Sequence, residues 1–95
     1  MVIRQKAQAG TLQSSDLMVF LEPTEILQIE IESTVKKQFE HLIRQTVEEV
    51  LDRHGIAAGR IRISDRGALD YAIVARLETA LRRAHDEGRV TRGAK

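Results

Sequence analysis

Two adjacent serines, Ser14 and Ser15, three histidines and a scatter of carboxylates are the side chains of this protein that could do chemistry. A serine becomes a nucleophile when a base stands beside it and donors await the oxyanion, an arrangement often announced by a Gly-x-Ser-x-Gly elbow. Ser14 and Ser15 stand instead in Gly10-Thr11-Leu12-Gln13-Ser14-Ser15-Asp16, with no elbow and no histidine near in sequence, which disfavours a hydrolase. On composition alone both are turn serines. His41, His54 and His85 lack the i, i+4 spacing that puts two metal ligands on one helix face. Glu48-Glu49 and Asp86-Glu87 are neighbours in helical segments, so the members of each pair point in different directions and read as solvated faces, not as an acid–base couple.

The chain has no cysteine, which excludes a disulfide framework, thiolate metal sites and a catalytic thiol, so any thiol chemistry has to be imported. Fifteen basic against 14 acidic residues leave a net charge of +1, with no overall pull toward nucleic acid or an anionic membrane. The basic group Arg82, Arg83, Arg89, Arg92 and Lys95 is interrupted by Asp86 and Glu87 and carries no aromatic residue. Residues 87–95 therefore read as a loose, solvated tail. The longest strictly apolar run, Leu17 to Leu21, falls far short of the ~20 residues of a membrane-spanning helix, and Met1-Val2-Ile3-Arg4-Gln5-Lys6 holds no signal-like apolar block. A cytoplasmic protein is the expectation. With 95 residues, 42% of them hydrophobic and 31% charged, the chain suits a single folded domain over residues 1–86.

The elements that must position these groups follow from periodicity. Residues 2–9 suit an edge strand or ordered arm, and Gly10 to Asp16, rich in turn formers, reads as an exposed loop. Leu17 to Leu21 is a continuous apolar run halted before Pro23, as in a buried strand. Leu27, Ile29 and Ile31 alternate with Gln28, Glu30 and Glu32, the pattern of a half-buried strand, and the short connection predicts an antiparallel hairpin between these two strands. Val35, Phe39, Leu42, Ile43, Val47, Val50 and Leu51 then recur at helical steps, with Ser33 or Thr34 available as a cap and Gly55 as the stop. Ile61 and Ile63 mark another strand, Asp65-Arg66-Gly67 a turn, and Ala68 to Ala84 a second helix with Leu69, Ile73, Leu77, Ala80, Leu81 and Ala84 on its buried stripe. The order predicts an α+β two-layer sandwich: a small antiparallel or mixed sheet of about four strands with two helices on one face.

Ala9-Gly10-Thr11-Leu12-Gln13-Ser14-Ser15-Asp16 resembles the signature loop of the citrate lyase acyl carrier (gamma subunit) family, where the serine at the Ser14 position carries the prosthetic group. Val35-Lys36-Lys37-Gln38-Phe39 resembles the start of that family's first helix, Asp65-Arg66-Gly67-Ala68-Leu69-Asp70 that of its second, and Ala75-Arg76-Leu77-Glu78 continues the likeness. The blocks fall in the family's order at similar spacing and cover nearly the whole chain except the C-terminal tail. Gln13 departs from the pattern, standing where many relatives have an acidic residue, a change that bears on recognition by the attaching enzyme and not on the acceptor hydroxyl.

The resemblance implies a non-catalytic carrier. Its Ser14 would hold 2′-(5″-phosphoribosyl)-3′-dephospho-CoA through a phosphodiester, and the thiol of that arm would carry acetyl and citryl groups between the citrate lyase alpha and beta subunits as citrate is cleaved to oxaloacetate and acetate. A prosthetic-group transferase is the further partner implied. The absence of cysteine is compatible with a working thiol on an arm. Asp16 is either a turn cap or a residue read by the modifying enzyme, and Arg60 and Arg62, on one strand face, are either solvated or turned to arm phosphates or a partner. The alternatives are the carrier subunit of malonate decarboxylase, which uses a similar arm, and an unmodified interaction domain. A nucleic-acid binder is argued against by the near-neutral charge.

Overall fold

Leu17, Val19 and Leu21 alternate with Met18, Phe20 and Glu22, and in the computed structural model of the protein, which describes residues 1–34 and 39–86, the first set is buried and the second only partly so. The same rule of two gives the other strands, and the elements run β1 (Ala7–Gly10), β2 (Leu17–Glu22), β3 (Leu27–Ser33), α1 (Glu40–Arg53), β4 (Gly59–Asp65) and α2 (Asp70–His85). The strands form one mixed sheet in the order β1-β2-β4-β3. β1 pairs antiparallel with β2, Ala7 facing Leu21. β2 pairs antiparallel with β4, Leu17 facing Asp65, and β3 lies parallel to β4, Leu27 beside Gly59.

The expected hairpin between the second and third strands does not form, because β4 lies between them. The reason is in the helix that follows β3. A strand, a helix and a second strand make a βαβ crossover, which sets β3 and β4 side by side and parallel and leaves β2 to pair with the far edge of β4. Outer-face charges agree with this order. Arg60 of β4 stands between Glu22 and Glu30, donating to both carboxylate oxygens of Glu30 at 3.1 Å and reaching Glu22 at 3.5 Å, where a direct β2–β3 pairing would have left two acidic rows without their cation. The two Glu30 bonds chiefly hold the Arg60 guanidinium above its ordinary pKa. Arg62 lies over the Phe20 ring, 5.1 Å from its centroid.

Both helices cover the other face. Ala9, Leu17, Val19, Leu21, Ile61 and Ile63 from the sheet join Ile43, Val47, Val50 and Leu51 of α1 and Ile73, Leu77, Ala80, Leu81 and Ala84 of α2 in a single buried cluster. The α+β two-layer arrangement expected from the periodicity is thus the observed one. Phe39, Leu42 and Leu69, expected on buried stripes, are exposed, since each lies in or just before the first turn of its helix, beyond the end of the sheet. Leu27 is exposed as well, on an edge strand. The start of α1 differs from expectation too: Val35 to Gln38 lie outside the described residues, Phe39 is the N-cap, and no side chain caps it. At its other end Gly55, with φ +66°, follows the C-cap, and the N–H groups of Gly55 and Ile56 close on the carbonyls of Asp52 and Leu51, so the expected glycine stop is present. Among the described residues no helix is long and apolar enough to cross a membrane. The expected tail at 87–95 lies outside the described residues.

This topology sends the β1–β2 loop, the end of β3 and the β4–α2 turn to the same end of the sheet.

Candidate functional site

The β1–β2 loop begins where β1 ends at Gly10, whose φ of +102° and closeness to the Leu17 backbone leave no room for a side chain: a Cβ there would run into the Leu17 carbonyl oxygen. Thr11 N–H donates to that carbonyl at 3.0 Å and closes the base of the loop. At the tip, Asp16 N–H donates to Gln13 O at 3.1 Å, which makes Gln13 to Asp16 a turn with Ser14 and Ser15 at its centre. Ser15 has φ 67°, the one positive value among the described non-glycine residues. A positive φ at the third position of a turn is usually met by Gly or Asn, so the loop holds Ser15 in a conformation its type does not favour.

Asp16 is what holds it. Its carboxylate accepts the Leu17 N–H on Oδ1 at 2.7 Å and the Thr11 hydroxyl on Oδ2 at 2.5 Å. Arg76, in the second turn of α2, adds a two-pronged contact, Nε to Oδ1 at 3.1 Å and Nη2 to Oδ2 at 2.8 Å. The Arg76 guanidinium first, and the Thr11 hydroxyl second, hold the Asp16 carboxyl down at about 2, against an ordinary 3.8. Backbone finishes the anchoring: Ser15 N–H donates to Arg66 O and Arg66 N–H to Asp16 O, each at 2.8 Å, extending the β2–β4 ladder one step past Leu17 and Asp65.

The opposing turn is built as firmly. Asp65 is 1% exposed, and its carboxylate accepts the Gly67 N–H at 3.1 Å, the Ala68 N–H at 2.9 Å and the Ser33 hydroxyl at 2.8 Å. Ser33 thus ties the end of β3 to this turn, where a helix cap was one expectation for it, and α2 begins at Asp70, two residues later than the periodicity suggested. On the outer side Glu32 receives the Ser64 hydroxyl at 2.6 Å and Arg66 Nη1 at 3.4 Å, the serine bond first and the arginine charge second lowering its pKa.

Ser14 is exposed at the apex of this anchored loop, and its hydroxyl enters no hydrogen bond among the described residues. Among the described residues no histidine is hydrogen-bonded to it: His54 meets Glu78 at 2.9 Å, chiefly lowering the glutamate's pKa, and His85 meets the Val2 carbonyl at 3.1 Å. Among the described residues no three His, Cys, Asp or Glu side chains gather as a metal site. Arg60 and Arg62, weighed from sequence as contacts for a phosphate, lie on the outer sheet face engaged with Glu22, Glu30 and Phe20. Among the described residues no base is hydrogen-bonded to Ser14, as a serine nucleophile would require. The arrangement presents an exposed hydroxyl on a loop held by the hydrogen bonds of Asp16 and Ser15.

Sequence reasoning named Ser14 and Asp16 but gave Arg76 no task, since 60 residues separate it from its partner. Its only sequence signal was a place in Ala75-Arg76-Leu77-Glu78.

The family model described as the malonate decarboxylase delta subunit matches residues 4–84. A citrate lyase acyl carrier protein of Haemophilus influenzae is 49% identical over 87 residues, covering 92% of each chain. One from Treponema denticola is 45% identical over 87 residues, covering 92% of this chain and all of its own. Among solved structures, a chain of a Pseudomonas malonate decarboxylase hetero-tetramer crystallised with malonate superposes with a TM-score of 0.75 at 28% identity, over 86% of each chain.

Proposed function

The chain belongs to the family of citrate lyase acyl carrier proteins and malonate decarboxylase delta subunits, carriers and not catalysts, and from that premise we propose that it is the acyl carrier subunit of a citrate lyase, loaded on Ser14. The observation that carries the assignment of the residue is the Ser14 hydroxyl: exposed and unengaged at the apex of a loop whose neighbouring side chains are tied down. Ser15 is the poorer acceptor. Its own N–H is bonded to Arg66 O, and its left-handed backbone is part of the anchoring.

Residues 1–86 form the carrier domain in this reading, and the protein works in the cytoplasm. The prosthetic group is 2′-(5″-phosphoribosyl)-3′-dephospho-CoA, which supplies a thiol that the cysteine-free chain lacks. An exposed alcohol with room around it fits that group, because a phosphodiester on Ser14 Oγ needs no cavity in the domain. The attaching reaction takes an activated, polyphosphorylated form of the arm and forms the Oγ–P bond as its phosphoanhydride bond breaks; the terminal phosphates leave together and the serine proton passes to a base of the enzyme. The chain's own part is then to hold the attachment point still. With the anchor fixed, the arm's reach keeps the thioester at a high local concentration near each partner site, the alpha and beta subunits that exchange and cleave the acyl group.

A malonate decarboxylase carrier is the second reading, supported by the family model and by the hetero-tetramer chain. The identities of 45% and 49% to citrate lyase carriers, against 28% to that chain, favour the first. Intact-mass and peptide mapping of the protein co-produced with a citrate lyase prosthetic-group transferase tests the assignment. The expected result is a dephospho-CoA-type adduct on the Ser14 peptide, absent in Ser14→Ala. An unmodified chain, in cells that load a control carrier, overturns it.

A further inference from the structure

The turn that carries Ser14 is held against its own backbone preference. Ser15, at the third position of that turn, has φ 67°, and for a residue with a side chain the left-handed region lowers the population of a conformation by roughly 5–30-fold. The ordinary turn has negative φ at both central positions, and the two forms differ by a rotation of the peptide between them. Here that peptide joins Ser14 to Ser15. Its N–H, which is that of Ser15, donates to Arg66 O at 2.8 Å. Rotation would relieve Ser15 and withdraw the N–H from Arg66, so the turn has a strained, bonded form and a relaxed, unbonded one.

The balance between the two depends on Asp16, which closes the turn and shares its ladder. Asp16 N–H donates to Gln13 O at 3.1 Å, and Asp16 O accepts the Arg66 N–H at 2.8 Å. Its carboxylate accepts the Thr11 hydroxyl from the same loop and the N–H of the next residue, Leu17. Among the described residues the remaining donor is Arg76, 60 residues away, through Nε at 3.1 Å and Nη2 at 2.8 Å. Arg76 stands on α2, whose Ile73, Leu77 and Ala80 lie in the core, so it refers the turn to a fixed element. A planar fork sets the orientation of the carboxylate as well as its distance, which a point charge does not.

We propose that Arg76 is a positioning residue for Ser14: by gripping Asp16 with both prongs it holds the Ser14–Ser15 peptide in the strained orientation and keeps a single backbone shape at the attachment residue. Arg76 acts through Asp16 and Ser15 and touches no reacting group in this role. The consequence for loading rests on the assignment of Ser14 as the loaded residue, whereas the strained turn and its clamp stand without it.

Two measurements test the role. Amide hydrogen exchange, followed residue by residue by NMR on the unloaded protein, reads the turn with no enzyme present. Arg76→Ala is expected to speed exchange of the Ser15 N–H about fivefold, the worth of a part-exposed two-pronged pair, and Arg76→Lys, which keeps the charge without the fork, by less. Adding Ser15→Gly to Arg76→Ala is expected to slow it again, because glycine takes the left-handed region at no steric cost. Ile56→Val lowers overall stability from beyond the opposite end of β4, and it is expected to leave Ser15 exchange unchanged. The second measurement is loading, by intact mass over a range of carrier concentrations, with a purified citrate lyase prosthetic-group transferase and its activated arm donor. Where only part of the carrier has the competent turn, apparent affinity falls by that fraction, so Arg76→Ala is expected to raise KM about two- to fivefold with kcat near the parent's. Ser15→Gly in that background should return KM toward the parent's value. Ser15 exchange in Arg76→Ala equal to the parent's, a rise that Ser15→Gly does not reverse, or an unchanged KM overturns the positioning role while leaving Ser14 as the loaded residue. A parent protein that is never loaded overturns the assignment of Ser14 and the role of Arg76 toward it, whatever the exchange rates show.

Discussion

Replacing Arg76 by alanine removes the ion pair that ties the Ser14 loop to α2, and its cost can be worked from the pair itself. The fall of the Asp16 carboxyl from 3.8 to about 2 corresponds to at most about 2.5 kcal/mol, at about 1.4 kcal/mol per tenfold change in proton affinity. Thr11 and Leu17 supply part of that fall and remain in the variant. The Arg76 side chain is 41% exposed and Asp16 16%, so solvent screens what Arg76 contributes. About 1 kcal/mol is the expected loss at pH 7, a drop of roughly 4–8 °C in the midpoint of a domain this size. The pH dependence carries the sharper test. A folded-state pKa below the unfolded one gives stability that is complete above about 3.8 and is lost as pH falls through about 2. The gap between parent and Arg76→Ala, followed by urea titration from pH 7 downward, should therefore hold steady to about pH 4 and narrow below it. A gap that stays constant through pH 3, or that is absent at pH 7, would refute an ionic clamp and leave Arg76 as packing alone.

Two further substitutions probe the anchoring. Asp65→Ala strips the acceptors from two backbone N–H groups and from Ser33 in a fully enclosed place, and a loss of about 2–4 kcal/mol by denaturant titration is expected; a loss under about 0.5 kcal/mol would mean that water substitutes for the carboxylate. Gly10→Ala forces a Cβ into the Leu17 carbonyl oxygen at a φ of +102°, and it should cost about 2 kcal/mol or more and slow loading of Ser14. An alanine variant as stable as the parent would show that the first residue of the loop has freedom to rearrange.

Much of this protein is written in local pattern. The alternation of Leu17 to Glu22 and of Leu27 to Glu32, the helical recurrence of Ile43, Val47, Val50 and Leu51 and the turn residues of Gly10 to Asp16 each depend on neighbours a few positions away, so strands, helices, the loop and its exposed serine could be read directly. The resemblance carried by that loop named the family. Pairing was harder to read. Both β2–β3 and β2–β4 satisfy the same alternation, and the choice went to β4 through a crossover that only the whole chain can express, with Arg60 between Glu22 and Glu30 in agreement. Exposure at helix starts escaped as well, because periodicity says which side a residue lies on and not whether the sheet extends far enough to cover it, as Leu42 and Leu69 show. The clamp is the plainest case. Asp16 and Arg76 are adjacent because β2 pairs with β4 and α2 returns over β1 and β2. Nothing within reach of either residue along the chain implies the other, so the tertiary fold alone decided that the Ser14 loop would be tied to α2.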